Sequence, residues 1–171
     1  VCTTGSFNTA IGQQAFYASN TTNCIAIGPQ ACYNISGNKN IAIGYHAHRY
    51  GNANNNVAIG SEALEAHSSY IGITNSIGIG EKAGRYQGQS WRNIWIGMKP
   101  GPQTASATAG TGSDNVAMGY LSMSNITSGY DNVAIGYESL LGATTRGHCI
   151  AIGKSALKTG TTGNSNIALG Y

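Results

Sequence analysis

Apolar and small residues alternate in a tetrapeptide that recurs along the whole chain. It reads apolar-Ala-Ile-Gly, as in Ile41-Ala42-Ile43-Gly44, and Asn often precedes it. Ten copies, several of them degenerate, end at glycines that lie 16 to 22 residues apart: Gly12, Gly28, Gly44, Gly60, Gly80, Gly97, Gly119, Gly136, Gly153 and Gly170. A period of two residues is that of a β-strand. Self-similarity at such a short interval predicts a stack of strand-containing coils.

The β-branched residues of each strand are expected to face the interior and the alanine to face outward. The residue before each glycine then forms an internal ladder, and the Val or Ile two places earlier forms a second one. The first ladder consists of Ile11, Ile27, Ile43, Ile59, Ile79, Ile96, Met118, Ile135, Ile152 and Leu169. The outward alanines (Ala26, Ala42, Ala58, Ala117, Ala134 and Ala151) would give a flat face for a neighbouring subunit.

Other positions keep the same register. Glycines such as Gly12, Gly28, Gly44, Gly60, Gly136 and Gly153 are expected at turns with positive φ or close backbone contact. Asn four residues before the glycine, as at Asn40 and Asn132, predicts a ladder of stacked amides. A small residue three places after the glycine, with an apolar one next to it, predicts a second short strand.

The fold class is therefore all-β, a parallel β-solenoid of about ten coils of 16 to 17 residues. Residues 1–171 form a single repeat domain with irregular insertions at 65–76 and 98–113. Solenoids need capping repeats, and this chain stops in mid-motif at Gly170-Tyr171. We therefore expect a piece of a longer fibre. Stacked coils about 4.8 Å apart form a slender rod.

Charge is sparse, with 9% charged residues and a net charge of +3. This argues against a nucleic-acid partner, and no apolar run is long enough to insert into a membrane. Only six carboxylates are present, and no nucleophile elbow or phosphate loop occurs. We expect no enzyme activity and no cofactor. Glu62 and Glu65 are expected to be a solvated surface pair.

The Asn-Val-Ala-Ile-Gly signature, followed by a small residue, resembles the YadA-like head repeats of trimeric autotransporter adhesins. It is equally similar to related repeats in bacteriophage tail fibres. The resemblance covers residues 8–171. It implies a left-handed parallel β-roll packed side by side as a homotrimer, in an extracellular location on a bacterial cell surface or a virion tail fibre. The repeats here are a residue or two longer than is typical of that family.

Several residues are candidates for chemistry outside the repeat. His46 and His48 alternate along one segment, which suits two metal ligands, although surface histidines are the preferred interpretation and no metal site is predicted. Cys24 and Cys149 replace the ladder Asn. Cys24 and Cys32 lie eight residues apart, so they either pair across a coil or remain small buried thiols.

Aromatic residues point to a binding surface. Tyr45, Tyr120, Tyr137 and Tyr171 each follow a motif glycine, so they should line one edge of the rod. There they either cover the coil corner or the trimer seam, which is the preferred interpretation, or contact a ligand such as a sugar. Repetition fails between residues 70 and 113, where aromatic and guanidinium groups are mixed in the manner of binding hot spots. The predicted ligand-binding residues are Trp91, Arg92, Trp95, Arg85, Tyr86, Tyr120 and Tyr137.

These features favour an adhesive fibre segment that displays a receptor-binding surface. Its expected partners are two further copies of itself and a host-surface glycan or protein receptor. The alternative is a passive spacer whose binding tip lies elsewhere. A carbohydrate-degrading tail protein is disfavoured by the scarcity of carboxylates.

Overall fold

The computed structural model describes residues 5–17, 19–66, 72–103, 110–160 and 163–171. The described chain is all-β, a solenoid of about nine turns with parallel strands. Parts of both predicted insertions, 67–71 and 104–109, lie outside the described residues. None of the described residues belongs to a helix that is long and apolar enough to cross a membrane.

One long sheet runs the length of the solenoid, and each of its strands is three residues of the repeated tetrapeptide. In sheet order the strands are β1 (Thr9–Ile11), β2 (Ile25–Ile27), β4 (Ile41–Ile43), β6 (Val57–Ile59), β8 (Ile77–Ile79), β10 (Ile94–Ile96), β11 (Val116–Met118), β12 (Val133–Ile135), β13 (Ile150–Ile152) and β14 (Ile167–Leu169). Two smaller sheets pair β3 (Ile35–Ser36) with β5 (Gly51–Asn52), and β7 (Ile73–Thr74) with β9 (Ser90–Trp91).

Every motif residue pairs with its equivalent in the next coil. Ala134, for example, lies opposite Ala117 on one side and Ala151 on the other. Because the register never slips, each motif position forms a column along the solenoid. The predicted ladders are confirmed as columns.

The prediction of which side faces inward was wrong. Alanines of the strand column are fully buried, as at Ala42 and Ala134, whereas the ladder residues Ile135 and Ile152 are 37% and 40% exposed. The interior is narrow, and larger side chains from the opposite wall fill it. A β-carbon added to Gly78, the alanine equivalent in β8, would lie 2.7 Å from Cγ of Leu64. Where a large side chain such as Leu64 lies opposite, the strand position holds only Ala or Gly. The β-branched side chains therefore face outward, and an Ala134→Arg substitution would disrupt the coil itself.

The predicted second strand is a turn instead. Left-handed residues alternate with ordinary ones there, as at Glu62 (φ 57°) and Leu64 (φ 49°). The backbone still bonds from coil to coil, since Leu64 N–H donates to the Ala83 carbonyl at 2.9 Å. Leu64 and its equivalents Phe16, Met123 and Leu140 are buried, so this wall supplies the bulk of the core.

The motif glycine is required by close approach. Gly44 has φ 132°, and a β-carbon there would lie 2.6 Å from the carbonyl oxygen of Gly60. Neighbouring coils approach this closely because the same glycine recurs in each of them. The predicted need for positive φ at this position is confirmed.

The amide ladder is also confirmed, and it supports the turn before each strand. Asn132 accepts a bond from Cys149 N–H at 2.9 Å through Oδ1, and its Nδ2 donates to the Arg146 carbonyl at 2.7 Å. Cys24, Cys32 and Cys149 are buried free thiols. Cys24 still accepts the Asn40 N–H at 3.3 Å. Cys24 and Cys32 are therefore small buried thiols, and they do not form a disulfide with each other.

Candidate functional site

The outward ladders give the solenoid an apolar side, here called the outer face. It consists of the two outward residues of each strand, such as Val133 and Ile135, repeated over ten strands. Ile43, Ile79, Met118, Ile135 and Ile152 are each between 36% and 40% exposed. At 4.8 Å per strand and 3.3 Å per residue, the face measures about 45 Å by 10 Å. A contiguous apolar patch of this kind marks an interaction surface.

The corner after the strands carries the tyrosine edge, defined by Tyr45, Tyr120, Tyr137, Lys154 and Tyr171. Tyr120 and Tyr137 stack with their centroids 5.3 Å apart. The Lys154 ammonium lies over the rings of Tyr137 and Tyr171, at 5.9 and 5.3 Å. The prediction that these tyrosines line one edge is confirmed. Tyr120, Tyr137, Lys154 and Tyr171 form a contact chain with one another.

The corner before the strands carries a different set of residues, here called the Trp91 edge. Its members come from four consecutive coils: Trp91 and Arg92, Ser113 and Asp114, Tyr130 and Asp131, Gly147 and His148. The Asp114 N–H donates to the Trp91 carbonyl at 3.0 Å, and the His148 N–H donates to the Tyr130 carbonyl at 3.1 Å. These bonds hold the coils in register.

Two ion pairs lie on the Trp91 edge. Arg92 donates to both carboxylate oxygens of Asp114, at 2.6 and 2.7 Å. This exposed bidentate pair lowers the pKa of Asp114 and raises that of Arg92. In the next coils His148 Nε2 lies 3.5 Å from Asp131 Oδ2. All four residues have left-handed backbone, with φ between 53° and 60°.

The Tyr130 ring has a defined seat on this edge. A β-carbon added to Gly147 would lie 2.9 Å from Cζ of Tyr130 and 3.1 to 3.2 Å from its two Cε atoms. The ring therefore lies directly against the backbone at Gly147, in space that any side chain would occupy. His148 meets the ring edge to face, at 5.1 Å between centroids. Tyr130 remains 43% exposed.

A charge cluster occupies the wall opposite the outer face. Arg85 Nε donates to Glu65 Oε2 at 2.9 Å, and Arg85 Nη1 forms an ion pair with Glu62 Oε2, also at 2.9 Å. The Arg85 guanidinium lies over the Tyr86 ring. Glu65 is nearly buried, and this burial raises its pKa although Arg85 opposes the shift. Glu62 and Glu65 are therefore tied to a shared guanidinium, which corrects the prediction of a solvated pair.

The structure places the two predicted surface histidines at different depths, with His46 partly exposed and His48 buried. His46 lies beside Glu65 and Arg49 at 3.6 and 3.1 Å, and partial burial lowers its pKa. His48 is fully buried in the column of Leu64, and burial lowers its pKa to about 4. Among the described residues no group of three or more His, Cys, Asp or Glu could hold a metal ion.

The seven predicted ligand-binding residues do not form one site. Trp91 and Arg92 lie on the Trp91 edge, Tyr120 and Tyr137 on the tyrosine edge, and Arg85 and Tyr86 in the charge cluster. Trp95 is only 1% exposed and is not available to a ligand. It takes the inward position of the strand, which the prediction had placed outward.

Sequence reasoning also missed residues that the Trp91 edge brings together. Asp114, Tyr130, Asp131 and His148 were not selected, although a signal was present. Arg92, Asp114, Asp131 and His148 all lie five residues before a motif glycine, so they share one column. Aligning the polar positions of the repeats by their motif glycines would have grouped these four residues.

Comparison with family models, with curated proteins and with solved structures found no match to this chain. The residues themselves therefore carry the functional argument.

Proposed function

We propose that this chain is a segment of an extracellular homotrimeric fibre that displays a receptor-binding surface, on a bacterial cell or a virion. The observation that carries the proposal is the outer face. A slender solenoid with a long strip of exposed and half-buried Ile, Val, Met and Leu has little core of its own. Burying that strip against other copies removes it from water and adds the missing apolar burial.

Parallel side-by-side packing fits this face because its columns run straight along the solenoid. The same residues recur in each coil, so contacts made by one coil are repeated by the next. The resemblance to YadA-like head repeats supports three copies and a left-handed winding. The proposed assembly is cyclic, with the three outer faces around one axis.

A non-catalytic role agrees with the pairing of the acidic side chains to cations. Glu62 and Glu65 are tied to Arg85, and Asp114 is tied to Arg92. Each of these three carboxylates already has a guanidinium partner, which leaves it less open to a substrate.

The test is a charge placed on the outer face. Ile135→Lys would bury an unpaired ammonium within the proposed contact, and we expect it to give monomer or unfolded chain. Ser128→Lys is the matched control because Ser128 is exposed and lies outside the strands. Sedimentation velocity should show the trimer for the parent and the control. An unchanged sedimentation coefficient for Ile135→Lys would contradict the proposed interface.

A further inference from the structure

We propose that the Trp91 edge binds a neutral oligosaccharide chain that runs along the solenoid axis. This deepens the proposed function, because it assigns a ligand class and a place to the displayed surface. The proposal rests on a seated aromatic ring, a second exposed aromatic residue two coils away, and a row of exposed polar groups along the same corner.

Tyr130 supplies the first stacking platform. Its ring lies against the backbone at Gly147 and makes a T-shaped contact with the His148 ring, with the centroids 5.1 Å apart. A ring fixed in this way loses little conformational freedom when a ligand covers it. The apolar C–H face of a pyranose stacks on an aromatic ring, and the phenol hydroxyl remains available to a sugar hydroxyl.

Trp91 supplies the second contact, and it is 45% exposed. Its backbone N–H donates a hydrogen bond to Ser113 Oγ at 3.0 Å, and this bond fixes the residue against the next coil. Trp91 and Tyr130 occupy the same position of their repeats, two coils apart, which is about 10 Å along the axis. A ligand that touches both must be longer than one sugar ring.

Polar groups accompany the aromatic residues. The exposed pairs Arg92–Asp114 and Asp131–His148 offer carboxylate acceptors and cationic or imidazole donors to vicinal hydroxyls. Besides the His148 imidazole these residues hold one guanidinium and two carboxylates, so the edge has no excess of positive charge for sialylated or sulfated glycans. The chemistry therefore favours a neutral chain.

The other aromatic surfaces are less suited to this ligand. On the tyrosine edge, Tyr120 and Tyr137 cover each other's faces and Lys154 lies over Tyr137. Near the charge cluster, Tyr17 and Tyr33 stack at 5.0 Å, and Arg49 lies over the rings of Tyr33 and Tyr50. Those rings lie against another stacked ring or a cation, whereas the Tyr130 ring lies against backbone and meets the His148 ring at a right angle.

The experiment measures binding of the assembled protein to immobilised maltohexaose, cellohexaose and chitohexaose, with sialylated and sulfated glycans as the acidic comparison. We expect binding to at least one neutral chain. Tyr130→Ala and Trp91→Ala should each weaken it roughly tenfold, the upper range for one aromatic contact. Tyr130→Phe should retain most of the affinity. Tyr45→Ala, on the tyrosine edge, is the control that should retain all of it.

Gly147→Ala tests the seat without altering the aromatic residue. Its φ is not left-handed, but its β-carbon displaces the Tyr130 ring, so affinity should fall several-fold while the assembly stays intact. No binding by an intact trimer, binding to acidic glycans only, or full affinity in Tyr130→Ala would overturn this site and leave the proposed assembly standing. Dissociation by Trp91→Ala would show instead that the edge is a subunit seam. A monomeric parent protein would contradict the proposed function itself.

Discussion

Removing the Trp95 indole should reveal how the interior of the solenoid is filled. Next to Trp95, the column that contains Leu64 and Met123 is interrupted by Gly84 of the preceding coil and Gly101 of the same coil. A β-carbon at Gly84 would lie 2.2 Å from Cδ1 of Trp95, and one at Gly101 would lie 2.7 Å from Cδ2. The indole thus occupies the volume that two column side chains fill elsewhere.

The magnitudes follow from that packing. Trp95→Ala leaves a large buried cavity and should lower the free energy of unfolding by about 3–5 kcal/mol. Gly84→Leu alone forces a side chain into the indole and should cost about 1–3 kcal/mol. The double variant restores the usual pattern of Ala in the strand and Leu in the facing column. We expect it to be more stable than Trp95→Ala alone, with a favourable coupling of about 1–3 kcal/mol.

Urea unfolding at one fixed protein concentration measures the four proteins of this cycle. Gly84 already has φ 61°, and Leu64 adopts φ 49°, so the backbone suits a leucine. The reasoning is refuted if Gly84→Leu destabilises both backgrounds equally, or if Trp95→Ala has little effect. Either result would mean that the indole does not occupy the gap.

Two further predictions concern buried polar groups. His48 has a folded pKa of about 4, below the 6.5 of an ordinary histidine, so only the unfolded chain gains a proton between these values. The stabilisation from neutral His48 should be fully present above pH 6.5, and the free energy of unfolding should fall by about 3 kcal/mol as the pH drops to 4. Denaturation of His48→Leu at several pH values should show a correspondingly smaller dependence of this free energy on pH. An identical dependence in the variant would contradict the prediction. Asn115→Ala removes a side chain that donates to the Gly129 carbonyl at 2.9 Å and accepts the Asn132 N–H at 3.2 Å. We expect a loss of about 3 kcal/mol in thermal or urea unfolding, whereas the exposed Asn125→Ala should change stability by less than about 0.5 kcal/mol.

The repeat register was readable from the sequence because a solenoid places one motif copy in each coil. The amide ladder and the glycine turns followed from the same register, and the structure confirms them at Asn132 and Gly44. Periodicity alone also grouped Tyr120 with Tyr137, which stack. These features depend only on which residues are equivalent.

The alternation of residues could not show which face of each strand points inward, because a period of two fits either orientation. The expectation that β-branched residues face inward holds when a monomer must build its core from them. Here the wall that contains Leu64 and Leu140 fills the interior, and only Ala134 and its equivalents fit opposite. The placement of Trp95 failed for the same reason.

The seat of Tyr130 depends on the missing side chain at Gly147, seventeen residues away in the sequence. A glycine outside the motif gave no signal of what would lie over it. The grouping of Arg92 with Asp114 was accessible from the column, but their bidentate geometry is a property of the folded corner.

The mass of the assembled protein in solution tests the central claim most directly. Sedimentation equilibrium at micromolar concentration should give three times the 17.6 kDa of the chain, because the outer face is buried only when copies associate. A folded monomer of 17.6 kDa under these conditions, with the β-sheet signal intact by circular dichroism, would contradict the account.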